Sequence, residues 1–251
     1  MSKYHHVLVD NQPSGVTVIT MNRPEKRNAL NHTLALELQQ AFIEFDQDDT
    51  RMVAVLTGAG DDAFSAGADL HDFPTELWRG VLNVGAQTDK PVIAAVSGWC
   101  IGGALVMAMM ADMIVASTSA KFYYPEAKVG FTGGLIAGLA ARLPHHVAME
   151  VILLCRILDA QRAHQLGFVT DVVPVGDQLK TAIAMAEELT TMAPLVHRTL
   201  KRFIYDEVVN RGPSETMART LFDLRKLEAS HDMKEGFAAF REKRAPVYLG
   251  K

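Results

Sequence analysis

Ser97-Gly-Trp-Cys-Ile-Gly-Gly-Ala-Leu-Val-Met-Ala-Met-Met-Ala-Asp112 follows the strand-like run Val92 to Val96 and leads through glycines straight into an apolar helix. Backbone N–H groups in the first turn of a helix have no intrahelical partner, and the helix dipole adds positive potential there. An oxyanion forming beside Gly102 and Gly103 would therefore be stabilised, and the absence of side chains lets a ligand approach the backbone closely. The plainer reading of the pair is that it only permits tight helix packing.

A second stretch, Ala63-Phe-Ser-Ala-Gly-Ala-Asp-Leu70, follows the strand-like Met52 to Thr57 and the turn Gly58-Ala-Gly-Asp-Asp62. Its small residues again expose the backbone. Enolate chemistry at a thioester needs two N–H donors converging on one carbonyl oxygen, and two such loops can supply one donor each. Taken alone, Ser65 to Leu70 reads as a loop with Asp69 as a helix N-cap.

With their flanks, these two stretches resemble the crotonase superfamily, the enoyl-CoA hydratase/isomerase family. Met21-Asn-Arg-Pro-Glu-Lys-Arg-Asn-Ala-Leu30 is similar to its first signature, Phe64 to Leu70 to its second, and Lys90 through Gly103 to its third. Phe122-Tyr-Tyr-Pro-Glu126-Ala-Lys-Val-Gly130 is similar to the segment that carries a catalytic acid in many members, and Phe237 to Pro246 to the usual C-terminal end. The resemblance implies an α/β fold, a spiral of ββα units with a helical C-terminal region, acting on a coenzyme A thioester. Its enolate oxygen would lie between the N–H groups of Ala68 and Gly103. Arg27, Ala29, Ala66, Asp69, Leu70 and Gly102 are the implied substrate contacts. Coenzyme A would enter only as part of the substrate, with no other cofactor and no metal. Residues 1–192 would form the core that binds the acyl-CoA, and 193–251 would cover the CoA site and join subunits into a trimer or hexamer.

Composition bounds these expectations. A chain of 251 residues can bury one large core, and 49% apolar with 22% charged residues excludes disorder. The formal charge of −4, with Lys and Arg dispersed, does not indicate a nucleic-acid surface; Lys201-Arg202 reads as a solvated helix face. Cys100 and Cys155 are the only cysteines, and no Cys/His cluster has metal-ligand spacing, so both are expected to be reduced. The start of the chain lacks a signal-peptide core, and Ile101 to Met110 is far short of the roughly 20 residues that span a bilayer, so a cytoplasmic protein without a membrane partner is expected.

In chain order, His6 to Val9 and Val16 to Met21 predict a hairpin across Asp10-Asn-Gln-Pro-Ser-Gly15. Asn31 is the predicted cap of a helix that buries Leu34, Leu38, Ala41, Phe42 and Phe45. Between His71 and Lys90, Phe73 and Trp78 are bulky anchors and Pro74 interrupts any long helix. His71 reads as an exposed residue on a short loop. Family members usually carry a longer insertion here, bordering the acyl pocket. Val92 to Val96 and Met113 to Ala116 read as strands; spacing alone fits either a spiral or a doubly wound sheet. Gly130-Phe-Thr-Gly-Gly134 fits neither nucleotide-binding glycine motif and leads to a predicted helix, Leu135 to Leu143. His145-His146 is expected to open the next helix. From Val147 onward the pattern is helical over 147–155, 160–166, 178–192, 194–210, 214–230 and 233–241, with only Val172-Val173 extended.

A thioester α-proton is weakly acidic, so its removal needs a base near the carbonyl and donors for the enolate. Glu126, after Pro125 and among Phe122, Tyr123 and Tyr124, is the candidate base, with a pKa raised by an apolar wall; the alternative is a solvent-facing carboxylate. Family hydratases generally use two glutamates, and the second would stand at Val106, which can neither accept nor donate a proton. One carboxylate is what many family isomerases carry, so the leading expectation is isomerisation of a 3-enoyl-CoA to a 2-enoyl-CoA. The alternatives are hydration by Glu126 alone or with Tyr123, Tyr124 or His71, decarboxylation of a malonyl-type thioester, and a CoA-thioester binder without turnover.

Overall fold

The computed structural model describes residues 3–251. Strands β1 (Val7–Asn11) and β2 (Val16–Met21) form the predicted antiparallel hairpin, with Val7 opposite Met21. After a 3-10 turn at Pro24–Lys26, Asn31 caps α1 (His32–Gln47) by accepting from the Leu34 N–H at 3.0 Å. The apolar stripe of α1 is buried as expected: Leu34, Leu38, Ala41, Phe42 and Phe45 all lie in the core.

Next come β3 (Val53–Gly58), β4 (Ala63–Ser65), β5 (Val92–Val96), β6 (Trp99–Ile101), α2 (Gly103–Met109), β7 (Met113–Ser117) and β8 (Lys121–Tyr123). After these follow α3 (Glu126–Val129), a 3-10 segment at Leu135–Ala141, α4 (His145–Leu153), β9 (Leu158–Asp159), α5 (Ala160–Gln165), β10 (Asp171–Val173) and α6 (Gln178–Thr190). One sheet has the order β1-β2-β3-β5-β7-β10, parallel from β2 onward, and the other the order β4-β6-β8-β9.

Successive strands alternate between the two sheets: β3 then β4, β5 then β6, β7 then β8. Each step advances the chain by one ββα turn, and this is the crotonase spiral. Period-two alternation explains why the central strands carry no polar face. Ala54, Leu56, Ala94 and Val96 enter the large core shared with α1 and α2. Val53, Val55, Ile93 and Ala95 point to the other face, where Ala182 and Ala186 of α6 cover them.

The C-terminal part consists of α7 (Pro194–Phe203), a π-helical turn at Ile204–Val208, α8 (Pro213–Ala229) and α9 (His231–Glu242). Ala218 of α8 joins the main core.

Several expectations are corrected. The segment after Gly134 is 3-10 rather than α-helical, because the small residues Ala137, Gly138, Ala140 and Ala141 let the backbone wind tightly against α8. β4 ends on Ser65, the first residue of the stretch expected to be loop, and β9 adds a strand where only Val172-Val173 was expected. The predicted helix over 194–210 gives way to the π turn at Ile204. Lys201 is not solvated. It is 9% exposed, and its Nζ donates to the Lys90 carbonyl at 2.7 Å and to Asp112 Oδ2 at 2.8 Å, which pins α7 to the start of β5. Arg202 does stay exposed, facing Asp89 at 3.4 Å.

Candidate active site

The site begins at a kink. Arg27 and Asn28 both have positive φ, 50° and 54°, a conformation asparagine tolerates better than most residues. Buried Asn28 accepts the Arg23 N–H through Oδ1 and donates through Nδ2 to the carbonyls of Ala59 and Ala63, each at 3.0 Å. These bonds tie the kink to the corner between β3 and β4. Ala66 N–H donates to the Arg27 carbonyl at 2.9 Å, and Leu30 pairs with Ala68 in a parallel bridge. The bridge uses Leu30 N–H to Gly67 O and Asp69 N–H to Leu30 O, both 2.8 Å. In parallel pairing the residue between those two bonds turns its own N–H the other way, so the Ala68 N–H faces out of the ladder.

Asp69 caps no helix. Helical winding resumes only at the 3-10 turn Leu77–Gly80, beyond Pro74. Its carboxylate instead takes Arg23 Nη2 at 3.0 Å and the His71 N–H at 3.1 Å. Burial raises the Asp69 pKa, but the His71 N–H and the Arg23 guanidinium outweigh that and hold it below the usual carboxylate range. Arg23 also donates to the Ala29 carbonyl, so one guanidinium fixes both loops.

The two small-residue loops touch. A β carbon on Gly67 would lie 2.8 Å from the Ile101 carbonyl oxygen and 3.8 Å from Gly102 Cα. Gly102 has φ 59° and ψ −119°, a glycine conformation, and donates to the Tyr123 carbonyl at 2.8 Å. Gly103 is the first residue of α2, where an N–H has no intrahelical acceptor. Leu77 lies over it, with Cδ2 2.5 Å from where a residue-103 β carbon would stand.

Glu126 opens α3 directly after Pro125. Its Oε1 lies 2.6 Å from the β-carbon position of Gly102, and its Oε2 is buried without a hydrogen-bond partner. Burial pushes its pKa up to about 7, only partly offset by its own backbone N–H. The neighbouring hydroxyls are engaged away from it: Tyr124 with Thr132 Oγ1 at 2.8 Å, and Tyr123 as acceptor from Lys128 Nζ at 3.2 Å. His71 is exposed. Val106 is 4% exposed in the core, so α2 contributes no second carboxylate at that position.

The fold thus brings together the backbones of Arg27, Ala29, Ala66, Ala68, Gly102 and Gly103 with the side chains of Asp69 and Glu126. Two further residues, Leu70 at 77% exposure and Arg27, carry their side chains at the surface beside these backbones. Arg23, Asn28 and Leu77 escaped sequence reasoning. Only Asn28 carried a signal, as a residue suited to positive φ after a Pro-led turn.

A cavity of about 500 Å³ lies away from this site, at the far end of α2 between Pro91, Met109, Ile114, Phe168, Leu200 and Tyr205. Its carboxylate, Asp112, is already paired with Lys201. Among the described residues, no group of three or more His, Cys, Asp or Glu is placed to hold a metal ion, and no helix is long and apolar enough to cross a membrane.

Spiral and paired loops together define a crotonase-fold protein. The chain belongs to the enoyl-CoA hydratase/isomerase family, whose sequence model matches residues 11–251. It is 35% identical over 261 aligned positions, 98% of each chain, to a probable enoyl-CoA hydratase, echA8, of Mycobacterium bovis. It is 34% identical to a carnitinyl-CoA dehydratase of Salmonella typhi, over 93% of this chain and 94% of that one. A crystal structure of carnitinyl-CoA hydratase from Mycobacterium avium superposes with a TM-score of 0.76 at 34% identity, covering 98% of this chain and 99% of the other.

Proposed function

We propose that the protein adds water across the 2,3-double bond of an enoyl-CoA thioester, and removes it in reverse, with Glu126 as the single acid–base group. The observation that carries this reading is the Glu126 carboxyl itself: one oxygen against Gly102, the other buried and unpartnered, and a pKa of about 7. With a pKa near neutrality, the ionised carboxylate can take a proton from water as oxygen adds at C3 and, as the acid so formed, deliver that proton to C2. The thioester oxygen, negative in the enolate, would lie between the N–H groups of Ala68 and Gly103. Arg27, Ala29, Ala66, Asp69, Leu70 and Gly102 form the remaining contact surface in this reading, and coenzyme A arrives as part of the substrate. Relatives named hydratase and dehydratase support this reaction, which has those two directions.

Val106 favours a second reading. An apolar residue where hydratases of the family generally place a second glutamate leaves one carboxylate, enough for a 1,3-proton shift from C2 to C4. Purified protein is assayed with 2-enoyl-CoA for water addition and with 3-enoyl-CoA for conjugation. Faster hydration supports the first reading, and conjugation without hydration overturns it in favour of isomerisation.

A further inference from the structure

The segment from Asp69 to Trp78 has its acids committed to partners. Asp69 pairs with Arg23, Asp72 Oδ2 accepts from Asn31 Nδ2 at 2.8 Å, and Glu76 pairs with Arg79 at 2.8 Å and Arg225 at 3.3 Å. What the segment presents instead is apolar: Leu70, Phe73 at 41% exposure, and Leu77 over Gly103. The segment after Glu126 behaves alike. Lys128 Nζ is turned onto the Tyr123 hydroxyl, and the Phe131 N–H donates to the Glu126 carbonyl at 3.2 Å. Val129 and Phe131 remain 64% and 50% exposed. The Phe73 and Phe131 rings meet edge to face, centroids 5.1 Å apart. One aromatic contact therefore joins the loop that follows Ala68 to the loop that follows Glu126.

We propose that Phe73 and Phe131 seat the acyl tail, and that they select thioesters with an uncharged alkyl or aryl tail over those ending in a carboxylate or ammonium. The proposal rests on the acyl-CoA reading above and is continuous with that site. Both rings stand on the loops that follow Ala68 and Glu126, so a tail that runs out between those loops covers apolar surface that is otherwise wet. Aromatic rings accept alkyl chains and other rings alike. A charged tail end set against these rings would lose its hydration without gaining a partner there, because Asp69, Asp72 and Glu76 are paired with Arg23, Asn31 and Arg79, and the Lys128 ammonium lies over Tyr123. Full burial of each methylene corresponds to up to about fourfold in affinity.

Calorimetric titration with saturated acyl-CoAs separates binding from turnover. Wild type, Phe73→Ala, Phe131→Ala and the double variant are titrated with butanoyl-, octanoyl-, 3-phenylpropanoyl- and succinyl-CoA. Wild-type affinity is expected to rise by about tenfold or more from butanoyl to octanoyl, to be similarly high for 3-phenylpropanoyl, and to be lowest for succinyl. The octanoyl-to-butanoyl ratio falls at least about threefold in either variant and further in the double one. In turnover of the matching enoyl-CoAs, the loss appears in KM rather than kcat. An unchanged ratio in the double variant, or succinyl-CoA bound as tightly as octanoyl-CoA, overturns the proposal. So does an unchanged ratio accompanied by a smaller sedimenting species, which would make the patch an interface between copies. Graded binding without turnover of any enoyl-CoA would sink the hydratase reading while supporting this one; no binding of any CoA thioester sinks both.

Discussion

Glu126 Oε1 and the α carbon of Gly102 are so close that a β carbon on residue 102 would lie 2.6 Å from that oxygen. The acid–base group and the turn that presents the Gly103 N–H are thus in direct contact, and one substitution disturbs both. Gly102→Ala adds backbone strain at φ 59°, ψ −119°, of about 1–3 kcal/mol, and displaces the carboxyl. Activity is expected to fall at least about 10²-fold, with a lower midpoint in urea. Unaltered kcat/KM in the alanine variant would show that the contact has no part in turnover.

Arg23 and Asp69 hold the turn that runs to Leu30 against the loop of Ala66 to Asp69, at 3.0 Å with each side chain about a tenth exposed. Removing one partner leaves the other charge buried, so Arg23→Met or Asp69→Leu is expected to lose about 3 kcal/mol in chemical unfolding. The double substitution should recover part of that loss, and a double-mutant cycle gives the coupling directly.

How much of this was legible follows from element length. Fully buried strands such as Val92–Val96 and the stripe of α1 stand out by composition and period. The second sheet does not: β4, β6 and β8 are three residues each, too short for any alternation to register. The candidate site was readable through its small residues and Glu126, since they lie in contiguous stretches. Arg23, Asn28 and Leu77 act across the fold, from positions 46, 35 and 26 residues away in sequence from Asp69, Ala63 and Gly103, and no local pattern marks them. Lys201 shows the converse error: a basic pair on a helix reads as solvated until Asp112 is found beneath it.

The C-terminal helices leave large apolar side chains in water, including Leu195, Phe203, Val208, Phe237 and Phe240 at 56–85% exposure. Assembly into a trimer or hexamer is the expected consequence. Sedimentation equilibrium at micromolar concentration checks it, and a monomer there would rule the assembly out.

Glu126 gives the most discriminating test, because its pKa moves activity and stability in opposite directions. Ionised Glu126 is the base in either direction of the proposed reaction, so kcat/KM should rise with pH and level off above an apparent pKa near 7. Stability runs the other way. With its folded pKa raised, the folded state binds more protons than the unfolded one between the ordinary carboxylate range and about 7, and stability falls as pH rises through that window. Glu126→Gln keeps the size and removes the charge. It should lower turnover at least about 10²-fold, leave CoA-thioester affinity nearly unchanged, and melt above wild type at pH 8 but not at pH 4. A variant that loses turnover and is also less stable at pH 8 would instead make Glu126 a structural carboxylate. Val106→Glu provides the complementary gain: a second carboxylate on α2 should raise hydration relative to double-bond migration. Burying it unpaired costs several kcal/mol, so its melting temperature is read alongside the two rates.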